Sequence, residues 1–404
     1  MATRPATQPT AVPGSSDTPV PTDRVARLRT GAPFCICVFL VLRIALSALG
    51  VVGVHAAAPN VPAGPAGPGT EVPATPGWHN VWDGTNRYDA AWFLRIASSG
   101  YRDDDASPAF LPVYPIAIRA VSWAVRDELL AALLVSNIAF LLSLIVLHAL
   151  TEEEYDRPMA RRSVVLLAAF PTSFFLLAPY SESLFLLLTL VSFRAARRGG
   201  WAMSGVTGAA AAATRSAGLA MLPALAVEAW TRRTRDRSPI AGLAAAGCVL
   251  LGPILYGVYW AARGDAHAPL GAQAIWDRRL AIPFVTLGRG VALGIRGIGS
   301  TSGRVWTADL LVTAVAIVPL TMGWRRLRPT FAVYAAASLL LPLCYPWAGR
   351  PLMSMPRFVV VVFPVAWVWA SYLSTRARLL IGVAVGAAGW CVLALWFMNW
   401  RPIF

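Results

Sequence analysis

The chain has 404 residues, 57% of them hydrophobic and 14% charged, with a mean hydropathy of +0.58, proportions that exclude a soluble single-core domain and suit a polytopic membrane protein. The formal charge is +15, and all 35 basic residues are arginine. The arginines sit in short loops between apolar runs, so the charge reads as membrane topology rather than as a nucleic-acid footprint, and membrane lipids rather than nucleic acid are the expected partners.

Residues 1–31 are rich in Pro, Thr, Ala and Ser without an apolar period, and predict a disordered cytoplasmic tail. The remainder, 32–404, reads as one transmembrane domain. Residues 32–56 are long enough to cross a bilayer and are expected to stay as an anchor. Arg43 falls inside this span, where a charge costs roughly 3 kcal/mol and needs a partner or a wet cavity. Residues 56–128 then form the first extracytoplasmic loop and a re-entrant region. A Pro/Gly/Ala connector over 57–77 leads to Asp83, a turn residue, and then to the most polar and aromatic stretch of the chain, 89–119. There, 90–99 predicts a short helix capped by Asp89 and ended by Gly100, with Trp92, Phe93, Ile96 and Ala97 as its apolar stripe. Such a helix is about 15 Å long, half the ~30 Å hydrocarbon core, and is expected to lie along the membrane surface. Asp103, Asp104 and Asp105 follow, read first as a solvated acidic run and otherwise as holding a divalent ion or contacting the acceptor, with Asp104 the candidate substrate contact. Residues 109–123 read as re-entrant or interfacial.

Further spans are predicted over 129–150, 163–178, 181–195, 239–262, 305–323, 330–347, 358–373 and 379–400. Arginine clusters at 157–162, 194–198, 232–237, 325–328 and 376–378 separate them and mark cytoplasmic turns. All five can lie on one side only if 201–230 goes out and returns as two half-spans meeting near Thr214 and Arg215. The expected architecture is therefore an all-α bundle of about eleven spans, N-terminus inside and C-terminus outside. It brings Asp89, the Tyr180 to Ser183 corner, Arg215 and the loops 263–304 and 351–357 to one face. Five cysteines and His55, His79, His148 and His267 are scattered without metal-ligand spacing, so no metal or cofactor is expected.

Four ordered blocks carry a resemblance: DAAWFLRIASSGY from Asp89 with FLPVYP after it, FPTSFFLLAPYSESLF from Phe170, ATRSAGL from Ala213 and SMPRF from Ser354. Together they resemble the PIG-V family of membrane mannosyltransferases, which has many bacterial relatives. Tyr88 stands where that family often has Trp, and Leu111 where it often has Phe. The resemblance implies a GT-C bundle that moves mannose, with inversion, from a polyprenyl-phosphate donor to an extracytoplasmic acceptor. It also implies a multi-pass protein of the cell membrane, or of the endoplasmic reticulum in a eukaryote.

Such a transfer needs a base for the acceptor proton, cations for the departing phosphate and a slot for the lipid. Asp89 is the candidate base, with helix capping as its plain alternative. Arg215 and Arg357 are the candidate phosphate ligands, or else they snorkel to the headgroups. Glu182 either touches sugar hydroxyls or is an ordinary helix start. Tyr180 is a candidate substrate contact, and Trp92 and Tyr101, together with Phe93, Phe110 and Tyr114, either stack on a sugar, line a polyprenyl groove or form an interfacial aromatic belt. The competing function is a transporter or flippase of a lipid-linked sugar, suited by Arg43 and by broken helices.

Overall fold

The computed structural model describes residues 24–54, 77–103, 105–235, 238–275, 277–300 and 303–401. Asp104, His55, Arg237, most of the predicted tail and nearly all of the Pro/Gly/Ala connector lie outside the described residues. What is described is all-α, apart from short 3-10 turns and two isolated bridges. The helices are α1 (Arg24–Gly53), α2 (Asp89–Ser99), α3 (Val113–Val125), α4 (Glu128–Glu154), α5 (Arg157–Ala168), α6 (Glu182–Arg197), α7 (Trp201–Ala212), α8 (Met221–Thr231) and α9 (Ile240–Cys248). They continue with α10 (Leu251–Ala262), α11 (Ala268–Ile275), α12 (Pro283–Arg296), α13 (Arg304–Gly323), α14 (Pro329–Leu343), α15 (Met355–Val360), α16 (Pro364–Tyr372) and α17 (Arg376–Met398). Helix α1 begins at Arg24, so the last part of the predicted tail is helical.

Among the described residues, four helical stretches are long and apolar enough to cross a membrane: Gly31–Gly53, Glu128–Glu154, Arg304–Arg326 and Arg376–Met398. A fifth follows if α9 and α10, bent by 41° at their junction, count as one span. The protein is thus a multi-pass membrane protein, but its helices taken singly do not give eleven spans. The reason is breakage. The predicted spans 163–178 and 358–373 are cut at Pro171 and Pro364, each leaving helices too short to reach across ~30 Å. The backbone groups freed at these breaks are taken up by buried hydroxyls. Ser173 Oγ donates to Ala168 O at 2.5 Å, Thr172 Oγ1 to Pro356 O at 2.7 Å and Ser183 Oγ to Leu176 O at 2.5 Å. Irregular backbone survives at such depth where protein covers it. Arg43 finds its partner in the Val81 carbonyl at 2.6 Å.

The stretch 201–230 breaks where the charge count asks it to. Helix α7 ends at Ala212 and α8 starts at Met221, with Thr214 and Arg215 between them. The chain folds back tightly here: a Cβ on Gly218 would lie 2.5 Å from Ala212 Cα, which only glycine avoids. Val113 N donates to Ala213 O at 3.1 Å, so the start of α3 is tied to this corner.

Helix α2 departs from expectation in two ways. Asp89 is its first helical residue and not its cap; the capping position belongs to Tyr88, which makes no side-chain cap. Its apolar stripe is buried against protein, with Phe93 edge-on to Tyr114 at 4.9 Å and Tyr114 Oη 2.7 Å from Ser136 Oγ of α4. A stripe spent on α3 and α4 is not available to lipid, so α2 is a packed element of the first loop. Gly100 ends it with φ +80°, and Arg119 donates to Ala97 O at 3.2 Å beyond its last turn.

Candidate functional site

Parallel packing of α4 and α6 brings the start of α6 beside the start of α2, and the turn before α15 closes over both. The four family-like blocks therefore meet. Arg357, in the first turn of α15, donates from Nη1 to Asp89 Oδ2 in a very short ion pair, and from Nε to Glu182 Oε1 at 2.7 Å. Arg215 Nη1 reaches the same Glu182 oxygen at 2.6 Å and Ser181 Oγ at 3.1 Å. Rings support both guanidiniums: Arg357 lies 4.7 Å from the Tyr180 centroid and Arg215 5.2 Å from that of Phe358.

Burial grades the cluster. The Glu182 side chain is 0% exposed, Arg357 8%, Arg215 9% and Asp89 22%. Asp89 is thus the member that a ligand meets most easily. Two polar atoms of this cluster, Glu182 Oε2 and Arg215 Nε, are buried without a hydrogen-bond partner among the described residues. Buried capacity left over in this way is costly in a structural network and is met by a ligand, an ion or water.

Both sides of the Asp89–Arg357 pair are held by unusual backbone. Tyr88 has φ +53° and ψ −118°, and Ser354 has φ +73°. Neither is glycine, and each such residue costs about 1–3 kcal/mol. Tyr88 is kept in place by edge-on packing on Trp400 at 5.0 Å, and Ser354 opens the turn whose carbonyl accepts from Arg357 N at 2.9 Å. Strain on either side of one ion pair marks a place where geometry is maintained at the expense of stability.

A third guanidinium was not foreseen. Arg278 Nη2 donates to Ser354 Oγ at 3.0 Å. Burial, the largest influence, lowers its pKa; Asp89 raises it, Arg357 and Arg215 push it down again, and the net direction is down. The RR pair at Arg278 and Arg279 lies in the loop 263–304 that the topology placed on this face, but no family-like block contains it and nothing in the sequence singles it out. Also missed was the buried two-point bridge from Arg350 to Asp309, at 2.5 and 2.8 Å, which anchors the turn leading to Ser354.

Other expected site residues lie elsewhere in the logic of the fold. Glu182 sits behind the arginines and holds both, with its side chain 0% exposed. Tyr180 is fully buried, donates to Arg87 O at 2.7 Å and forms the floor under Arg357. Trp92 is stacked on Phe110 at 5.7 Å and buried. Tyr101 donates to Phe110 O at 2.8 Å and packs on Trp260 of α10 at 5.7 Å, so it pins the first loop to α10. Asp103 pairs with Arg263 at 2.9 Å and Asp105 with Arg95 at 2.5 Å. Burial raises the Asp105 pKa, but Arg95 and Ser107 outweigh it and hold the carboxyl below its usual range.

A mannosyltransferase (PIG-V) family model matches residues 34–233, a stretch that includes Asp89, Glu182 and Arg215 and stops before Arg278 and Arg357. The chain is similar to GPI alpha-1,6-mannosyltransferase 2 of Mus musculus, 35% identical over 151 residues, which are 34% of this chain and 30% of that protein. The Rattus norvegicus protein of the same name is 34% identical over 148 residues, with the same shares covered. The match therefore spans less than a third of the length of these relatives. Among solved structures, the Archaeoglobus fulgidus oligosaccharyltransferase in its apo form aligns with a TM-score of 0.44 at 11% identity, over 91% of this chain and 56% of that one. The archaeal oligosaccharyltransferase AglB from the same organism, in complex with an inhibitory peptide and a dolichol-phosphate, aligns with a TM-score of 0.41 at 10% identity, over 92% and 56%.

Proposed function

The chain belongs to the mannosyltransferase (PIG-V) family, and from that premise we propose that it is a GT-C membrane glycosyltransferase moving mannose from a polyprenyl-phosphate donor to an extracytoplasmic acceptor with inversion. The observation that carries the reading is the meeting of one partly exposed carboxylate, Asp89, with the buried guanidinium Arg357, braced from behind by Glu182 and Arg215.

In this reading the donor phosphate competes with Asp89 for Arg357. Two oxygens of a phosphate fit the fork of a guanidinium at least as well as a carboxylate does. Exchange of partners frees the Asp89 carboxylate to take the acceptor hydroxyl proton while that oxygen attacks the anomeric carbon. The bond from that carbon to the phosphate oxygen breaks, and the charge arriving on the phosphate stays against Arg357 and Arg215. Glu182 keeps the two arginines from drifting apart. The extracytoplasmic placing is supported by the length of α6, which puts Glu182 at the end opposite Arg194, Arg197 and Arg198.

The test is transfer of label from a radiolabelled mannosyl phosphopolyprenol to a membrane-lipid extract by the purified full chain in detergent. Product that disappears in Asp89→Asn supports the reading, and no product from the wild-type protein overturns it. The broken helices also suit a transporter of a lipid-linked sugar, and the same assay separates the two, since transport needs a sealed vesicle to register.

A further inference from the structure

The cluster holds three guanidiniums, of Arg215, Arg278 and Arg357, against two carboxylates, of Asp89 and Glu182. Arg278 is the odd member. Among the described residues it forms no ion pair, and its side chain is half-buried beside two other arginines. Asp89 attracts this arginine without closing an ion pair while Arg357 and Arg215 repel it, so it needs a further anion or a fixture that holds it in place. Here the fixing is elaborate. The chain at 278–281 pairs with the chain at 344–347: Arg278 bridges to Trp347, Arg279 N donates to Pro346 O at 3.3 Å, and Ala281 N to Cys344 O at 2.9 Å. Trp347 bridges in turn to Arg350, which Asp309 grips from within α13. The same turn presents Ser354, in its left-handed conformation, to Arg278 Nη2.

We propose that Arg278 is a further phosphate-binding residue of this site, carried in on the segment between α11 and α12 and aimed by Ser354 so that it closes on the donor phosphate together with Arg357 and Arg215. This rests on the functional reading above. Three cations around one phosphate account for the surplus charge, and the orphaned Nε of Arg215 supplies a further donor toward the same anion. They also explain why the turn before α15 is braced by a buried ion pair far from the sugar chemistry: the brace sets the position of Arg278.

The experiment measures equilibrium binding of a radiolabelled polyprenyl phosphate and of the matching uncharged polyprenol to the purified full chain in detergent micelles. The wild-type protein is expected to prefer the phosphate. Arg278→Ala should weaken phosphate-lipid binding by about tenfold or more and leave polyprenol binding unchanged, as loss of a charge-assisted contact requires. Arg278→Lys should fall between, because it keeps the charge and loses the fork. If Arg278→Ala melts below the assay temperature, Arg278→Gln and Ser354→Ala take its place, with a loss of a few-fold or more expected in each.

Undiminished phosphate preference in these variants overturns the role of Arg278 and leaves the functional reading intact. A fall in polyprenol binding and melting temperature alongside phosphate binding assigns Arg278 to structure alone, which also overturns the role. A wild-type protein that does not distinguish phosphate from alcohol overturns the donor reading and this proposal together.

Discussion

Helix α6 carries a buried charge cluster at each end, about 22 Å apart by its length, and the two differ in how completely they are satisfied. At its last turn Arg197 donates to Glu154 at 2.5 Å and to Glu228 at 2.8 Å, the other Glu228 oxygen accepts from Thr330 at 2.7 Å, and Arg328 closes on Glu154 at 2.6 Å. Every oxygen of the two carboxylates has a donor, so this end is a clasp joining α4, α6, α8 and α14. At its first turn, Glu182 and Arg215 each keep an unpartnered buried atom, a cation sits without a carboxylate, and two non-glycine residues hold strained backbone. Both ends are written in the same alphabet of Glu and Arg. What separates the two ends is the capacity left over at the first.

The most direct way to break this contrast is Asp89→Asn. With the fold intact, transfer should drop about a hundredfold or more for loss of a general base, and near-normal transfer by a variant that melts with the wild type would mean that the chemistry lies elsewhere. The clasp should answer oppositely. Glu228→Ala is expected to cost about 3 kcal/mol by leaving Arg197 and Thr330 without their buried acceptor, with transfer per folded molecule unchanged. An unchanged melting temperature with poor transfer would exchange the roles of the two ends.

Finer changes sharpen the picture. Glu182→Gln removes the charge that holds both arginines, and donor KM should rise about tenfold while acceptor KM holds. Ser354→Gly releases about 1 kcal/mol of left-handed strain but discards the hydroxyl under Arg278, so stability should hold while donor KM rises a few-fold; an unmoved KM would count against that hydroxyl. Smallest of all, Asp103→Asn should leave melting and transfer as they were, because its pair with Arg263 is exposed and screened by solvent.

Much of the local structure was legible. Helix α2 starts and stops within a residue of its predicted limits, since Gly100 can adopt positive φ and the apolar stripe has a helical period. The break at Thr214 and Arg215 followed from charge counting alone. Legibility failed where a side chain's partner lies far along the chain. Asp89 looked like a cap because Asp before an apolar helix usually caps, yet its carboxylate goes to Arg357, 268 residues on. Tyr101 read as a substrate contact or part of an aromatic belt, and its packing on α10 and hydrogen bond to Phe110 O were not legible. Arg278 drew no role in the sequence, although its loop was placed on the face of Asp89, because nothing within that loop singles it out.

Composition and period by themselves determined that this protein lives in a membrane, that its helices are apolar and that its arginines gather in turns, because partition into hydrocarbon depends on residue type and spacing alone. Tertiary structure decided which helices are whole and which are broken, and which carboxylate meets which guanidinium. Those choices depend on contacts such as Arg357 with Glu182, 175 residues apart, and on burial, which turns an ordinary ion pair into one that must be completed. A one-dimensional pattern specifies the face a side chain takes on its own helix; only packing specifies what waits on the other side.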